Sequence, residues 1–347
     1  MRILINIPSL KLLGGVANHY KGLESLWEEQ VKYNTVGRRK NIPGVIMLIY
    51  DYIKFCLICF LGKYDLVLLN PSLGKTSLIR DALFLRISKF FNIRTIVFFH
   101  GWNKMIEEKI NKDPKAFKNN FNKADCFLVL AESFKHQLIN WGINKPVFLT
   151  TTKVDDVLLK GFFIDSKSFD PNILFLARIE ENKGVLIVLE AFRNVLDNFP
   201  NATLKIAGDG PALLKAKDRA KELMLEDIEF LGNINGELLV DTFISSSIYV
   251  LPTTHGEGMP TSVLEAMAFG LAVISRPVGG LVDFFENRKM GYLIDSLESN
   301  IYADTILELL NNHEKLKAMG KLNHEYAKQY FLASKVTKQL ERILTKD

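Results

Sequence analysis

Short apolar runs alternate with helical stretches along this chain, and that alternation constrains its fold more than any other feature. Strand candidates are Arg2–Ile7, Leu66–Asn70, Thr95–Phe99, Cys126–Ala131, Val147–Thr150, Asn172–Ala177, Thr203–Ala207, Ile228–Leu231, Ile248–Leu251 and Ala272–Ser275. Most are unbroken apolar runs, the pattern of parallel strands covered on both faces. Between them, Ser77–Phe91, Ser133–Trp141, Val185–Asn198 and Leu213–Met224 carry apolar residues at helical spacing. The alternation predicts an α/β protein with doubly wound parallel sheets and right-handed crossovers. A length of 347 residues is two domains' worth. The stretch Thr151–Pro171 has no strong element signal and is the expected hinge. This places residues 1–165 in one Rossmann-like domain and 166–330 in a second, the two facing each other across a cleft. Residues 331–347 read as a C-terminal helix packing back on the first domain. Ligands of such sheets bind beyond the carboxyl ends of the strands, so the loops there hold the candidate chemistry.

Composition narrows the class. Apolar residues make up 48% and charged residues 24%, which excludes a disordered or collagen-like chain. Three cysteines cannot build a disulfide scaffold and point to a reducing, cytoplasmic location. The start Met1–Pro8 is too short for a signal-peptide core and reads as a strand, so no targeting segment is expected. Charge is unevenly spread: residues 1–160 hold 24 Lys+Arg against 13 Asp+Glu (+11), and the remainder 20 against 26 (−6). The longest apolar run, Val45–Leu61, carries Asp51 and Lys54 near its centre. Two central charges and a length at the short end for spanning argue against a transmembrane helix, and the run is expected to be a buried helix, with an interfacial one as the alternative.

The densest motif is Pro252-Thr-Thr-His-Gly-Glu-Gly-Met-Pro-Thr-Ser-Val-Leu-Glu-Ala-Met-Ala-Phe-Gly270. A strand ends at Leu251, a glycine loop follows, and a helix begins near Thr261. Pro260 suits that helix start and Gly270 its end. The first-turn amides offer an anion site, with Glu257 in the loop and Glu265 inside the helix. In Phe175-Leu-Ala-Arg-Ile-Glu-Glu-Asn-Lys-Gly184, Arg178 follows a buried strand and Lys183 precedes a helix, a pair suited to a diphosphate. Gly208-Asp-Gly210 after the next strand reads either as a plain turn or as a place where backbone approaches a nucleotide.

These residues resemble the retaining, nucleotide-sugar-dependent glycosyltransferases of family 4, which have the two-domain GT-B fold. The resemblance runs through Arg178…Lys183-Gly184, Gly208-Asp-Gly-Pro211, Glu257-Gly-Met-Pro…Glu265-Ala-Met-Ala…Gly270, Val278-Gly-Gly280 and Gly291-Tyr-Leu-Ile294. In the first half it is carried by Gly14-Gly15 and Phe99-His100-Gly101. It implies that Arg178 and Lys183 bind the donor diphosphate and stabilise its growing charge, helped by amides around Gly258, Met259, Pro260 and Thr261. Glu265 would take the ribose hydroxyls and Glu257 the transferred sugar. Gly14 and Gly15 would admit phosphates close to the backbone, with Gly208 and Gly210 also at the donor, and His100 would lie near the reacting sugar.

The resemblance implies transfer from a UDP- or GDP-sugar to a glycan or lipid-linked hydroxyl acceptor in polysaccharide assembly. The readings set beside it are a nucleotide-sugar epimerase of the same fold and a silent subunit of a glycan-assembly complex. No cofactor and no nucleic-acid partner are expected. With no Asp-x-Asp cluster at a strand end, an obligatory divalent metal is not expected either. Gly74-Lys-Thr76 lacks the earlier glycine of a phosphate loop, and Cys56-Leu-Ile-Cys59 has no second pair with which to hold zinc. The segment Leu149–Asp156 and the loop Asn70-Pro-Ser72 depart from the family pattern on the acceptor side. The basic first half, notably Lys104, Lys109, Lys112, Lys115, Lys118 and Lys123, is expected to dock on the cytoplasmic face of a membrane.

Overall fold

In the computed structural model, which describes residues 1–11, 14–37 and 43–346, the apolar runs pair into two six-stranded sheets with every pairing parallel. The first sheet and its helices run β1 (Arg2–Ile7), α1 (Gly15–Leu23), β2 (Gln30–Thr35), α2 (Gly44–Gly62), β3 (Leu66–Leu69), α3 (Lys75–Phe90), β4 (Arg94–Phe99), α4 (Lys104–Lys112), α5 (Lys115–Phe121), β5 (Cys126–Val129), α6 (Glu132–Asn140) and β6 (Val147–Leu149). The second runs β7 (Asn172–Leu176), α7 (Val185–Leu196), β8 (Thr203–Ala207), α8 (Leu213–Glu222), β9 (Ile228–Gly232), α9 (Gly236–Ile244), β10 (Ile248–Leu251), α10 (Thr261–Ala268), β11 (Ala272–Ser275), α11 (Leu281–Phe284) and β12 (Gly291–Leu293). Three helices follow: α12 (Ser299–Leu310), α13 (His313–Tyr330) and α14 (Ala333–Leu344).

The strand orders are β2-β1-β3-β4-β5-β6 and β12-β11-β10-β7-β8-β9. Strands β3, β5, β10 and β11 are buried along their whole length, as helices on both faces require. The chain divides into two compact units. One comprises Met1–Lys153, Gly256–Met259 and Ala333–Asp347, and the other Val154–His255 and Pro260–Leu332. Residues 154–165, assigned to the first domain from sequence, pack with the second unit. The Val154 amide donates to Phe331 O at 2.7 Å, and Phe162 lies against the rings of Phe269 and His324.

Helices α2 to α6 cover one face of the first sheet and bury a largely aromatic core that includes Phe55, Phe84, Phe99, Phe117, Phe121 and Phe134. Trp102 stacks on Phe134 at 4.2 Å between centroids and on Trp141 at 5.6 Å. Helix α14 packs against α1 with Ala333, Val336, Thr337, Leu340, Glu341 and Leu344 buried, the stripe expected of one amphipathic face. Its Glu341 Oε1 accepts hydrogen bonds from the Glu28 and Glu29 amides at 2.7 and 2.9 Å.

The fold departs from the sequence reading in two strands and one helix. Strand β2 escapes apolar-run reading because it lies at the sheet edge and its first four residues alternate exposed with half-buried; β12 has only three residues. Helix α2 forms over the apolar run, but only Met47, Asp51, Phe55 and Cys59 of it are buried, so the expectation of a buried helix is corrected. Hydropathy counts apolar residues without saying which way they face.

Candidate functional site

In the second sheet the neighbours β7 and β10 are parallel but not consecutive in sequence, and the order in which successive strands are added reverses between them. That is the topological switch point, where the loops at the carboxyl ends part and leave a crevice. Arg178 lies two residues beyond β7, exposed, with Nη1 3.1 Å from Glu180 Oε1. Lys183 ends a short 3₁₀ turn and is half-buried. The next residue, Gly184, adopts φ 83° at the start of α7, and a Cβ there would come within 2.6 Å of Pro252 O. Glycine therefore lets the β7 loop pass directly against the β10 loop. The two loops are tied by Asn182 O, which accepts from the Thr254 and His255 amides at 2.7 and 3.2 Å.

Gly208 and Gly210 press on the same loop from the β8 side. A Cβ on Gly208, at φ 131°, would lie 1.9 Å from Ala177 O, and one on Gly210 2.4 Å from Ile179 O. The Ile179 amide donates to Asp209 O at 3.0 Å, and the Ala212 amide to Ile179 O at 3.0 Å. Both glycines thus hold the backbone on either side of Arg178. Sequence reasoning missed a further support, Tyr249. Its hydroxyl reaches Leu176 O at 2.9 Å and Ser262 Oγ at 2.7 Å, linking the end of β7 to the first turn of α10. Pro260 caps α10 rather than opening it, Thr261 is the first helical residue, and Glu265 is buried at 8% exposure. Gly270, at φ 71°, closes the helix.

The first unit holds the other candidates. Gly14 and Gly15 lie exposed at the start of α1, where a Cβ on either would meet no atom of the described residues within 4 Å. His100 follows β4 and is nearly buried, with Nε2 2.9 Å from Asn70 Oδ1. Asn70 Oδ1 also accepts from the Tyr20 hydroxyl at 2.6 Å, while its Nδ2 donates to Asn6 O at 2.9 Å. With the Asn70 oxygen turned toward His100, the imidazole proton belongs on Nε2 and Nδ1 keeps its lone pair. Burial, with His19 adding a smaller push, holds the His100 pKa well below the ordinary value. His19, on α1, was not found from sequence. Its ring lies 5.3 Å from that of His100, and burial and then Lys153 lower its pKa to about 3. Neither ring nitrogen of His19 has a hydrogen-bond partner among the described residues.

The segment Gly256–Met259 packs on the loop after β4 within this same unit. A Cβ on Gly258 would lie 2.2 Å from His100 O, and one on Gly256 2.1 Å from Trp102 O. Thr152 Oγ1 donates to Met259 O at 3.4 Å. His100, Glu257, Gly258 and Met259 are thereby gathered in the first unit. Arg178, Lys183, Gly208, Gly210, Pro260, Thr261 and Glu265 sit in the second. No group of three or more His, Cys, Asp or Glu among the described residues is placed to hold a metal.

Residues 162–326 match the family profile described as glycosyl transferases group 1. The matched segment, just under half of the chain, is similar to a group 1 glycosyltransferase domain. It spans β7 to most of α13, so Arg178, Lys183 and the whole Pro252–Gly270 motif fall inside it. An uncharacterized glycosyltransferase of Methanocaldococcus jannaschii is 26% identical over 69% of this chain and 65% of its own length. The putative colanic acid biosynthesis glycosyltransferase WcaL of Salmonella typhimurium is 22% identical over 71% of this chain and 63% of its own. The chain thus spans just under two thirds of the length of each of these relatives. Among solved structures, Anabaena HepE in complex with UDP and glucose superposes with a TM-score of 0.76 at 16% identity, covering 100% of both chains. The fold is accordingly the GT-B fold.

Proposed function

We propose that the protein is a retaining glycosyltransferase that moves a sugar from a UDP- or GDP-sugar to a hydroxyl acceptor in polysaccharide or lipid-linked glycan assembly. The observation that carries this reading is the placing of Arg178 and Lys183 on the β7 loop at the switch point of a group 1 domain. In transfer, the bond between the anomeric carbon and the donor diphosphate breaks and negative charge collects on the diphosphate oxygens. Two cations held beside that position, with the first-turn amides of α10, stabilise the charge as it grows. Glu265 binds the ribose and Glu257 the transferred sugar. His100, kept neutral by burial, offers a hydrogen-bonding nitrogen near the reacting sugar without adding a charge. Gly14 and Gly15, with open space beside them, leave backbone amides accessible to phosphate. The first unit is assigned to the acceptor and the second to the nucleotide-sugar.

Metal independence belongs to the same reading, since cationic side chains and helix amides do the work a divalent ion would otherwise do. UDP-sugars come first among donors to test, because HepE has been crystallised with UDP-glucose. A cytoplasmic, membrane-peripheral location is part of the proposal. The test is a screen of UDP- and GDP-sugars for turnover, with product analysis. Release of nucleotide from one preferred donor supports transfer. Conversion of the sugar with nucleotide still attached makes the protein an epimerase, and failure to bind any nucleotide makes it a silent subunit.

A further inference from the structure

We infer that α2 is a membrane-docking helix that lies in the plane of an anionic bilayer with its outer face sunk among the lipids. This deepens the membrane-peripheral location proposed above by naming the element that docks, and it does not rest on the transfer chemistry. At about 1.5 Å per residue, the 19 residues of α2 span roughly 28 Å. Among the described residues it is the one helix long and apolar enough to cross a membrane by length and composition. Spanning is excluded by its inner stripe: Phe55 and Cys59 belong to the core of the first unit, and Asp51 Oδ2 accepts from the Gly37 amide at 2.7 Å. The helix is therefore built into the domain along one side only.

The other side carries nine exposed side chains, from Val45 and Ile46 through Ile49, Tyr50, Ile53, Cys56 and Leu57 to Phe60 and Leu61, and none is charged. On a helical wheel they fill one continuous arc of about 160°. Val45, Phe60 and Leu61 are each exposed by more than two thirds. Helix α3, which packs beside α2, also has Leu83 and Phe90 exposed. A soluble monomer seldom leaves so continuous an apolar face uncovered.

Charge decides among possible occupants. Lys32 and Lys54 rim a groove of 470 Å³ whose floor includes Ile53, Leu57 and Leu61, and exposed Lys63 follows the end of α2. Arg86 lies on the same face of α3 as Leu83 and Phe90. From residue 44 to 123 there are 13 Lys+Arg against 6 Asp+Glu, a balance of +7, so a second copy of the surface would repel this one. Apolar side chains ringed by lysine and arginine match acyl chains beneath anionic headgroups.

The experiment is flotation of the full chain with phosphatidylcholine vesicles and with vesicles containing phosphatidylglycerol. Wild type is expected to float with the anionic vesicles, and Ile53→Glu/Leu57→Glu to bind them at least about tenfold less. Nucleotide affinity should be the same in both proteins, so loss of docking is separable from failure of the transferase reading. A second measurement labels the exposed native thiol of Cys56 with a polarity-sensitive fluorophore; Cys59 and Cys126 are buried. Its emission should shift to the blue only with anionic vesicles. Equal binding to both vesicle types, equal binding by the double variant, or an unmoved emission would each overturn the proposal. So would a dimer in light scattering that Ile53→Glu/Leu57→Glu dissociates.

Discussion

Acid should loosen the first unit well before its carboxylates titrate, because His19 and His100 are buried there as neutral rings. The unfolded chain takes up a proton on each imidazole near pH 6.5, whereas folded His19 resists protonation until about pH 3, and folded His100 is also well depressed. Protons therefore bind the unfolded chain more strongly. Stability is full above about pH 6.5 and is lost as pH falls toward the folded values. For His19 the loss is about 0.8 kcal/mol at pH 6 and about 2 kcal/mol at pH 5, and His100 adds to it in the same direction. Urea unfolding at pH 7.5, 6 and 5, followed by tryptophan fluorescence, reads this directly. All three tryptophans, Trp27, Trp102 and Trp141, lie in the first unit. In His19→Gln the loss between pH 7.5 and 5 should shrink by about 2 kcal/mol. If that variant and wild type lose the same stability over this range, His19 is not held neutral by burial and the reasoning fails.

Arg178→Ala and Lys183→Ala should each lower kcat on the order of 10²–10³-fold while raising donor KM less, as expected of groups that act on charge developing in the transition state. Glu265→Gln should act chiefly on donor KM; near wild-type kcat in both cation variants at saturating donor would sink the assignment. Gly184→Ala forces a side chain into positive φ and against Pro252 O, so it should cost more than about 1 kcal/mol in unfolding experiments and displace the β7 loop. Turnover should survive EDTA, and activity abolished by chelation and rescued by Mn²⁺ would contradict metal independence.

The central strands were legible because burial on both faces leaves an unbroken apolar signature, as in Leu66–Leu69 and Ala272–Ser275. Edge strand β2 has no such signature, since Gln30, Lys32 and Asn34 interrupt it. The loops bearing Arg178, Lys183 and Glu257 could be found because glycines mark places where backbones touch. Which backbones touch was hidden: Gly208 and Gly210 meet the chain around Arg178, not open space. His19 left no trace in sequence, being one histidine in a short helix. Apart from its neighbour Tyr20, the rings around it, Phe98 and His100, come from a distant stretch of chain at the end of β4. The outward face of α2 was equally hidden, because hydropathy sums a helix without dividing its sides.

The placing of α14 has a consequence for synthesis on the ribosome. The first unit needs Glu341 to satisfy the amides of Glu28 and Glu29, and Leu344 O to receive Arg94 Nη1 at 2.9 Å. Those residues are translated only after the whole second unit. A nascent chain stalled anywhere in the second unit exposes an unfinished first one, with α1 lacking the helix that covers it. The first unit therefore cannot be completed strictly from front to back, and its earliest-made part lacks its last helix until α14 leaves the exit tunnel.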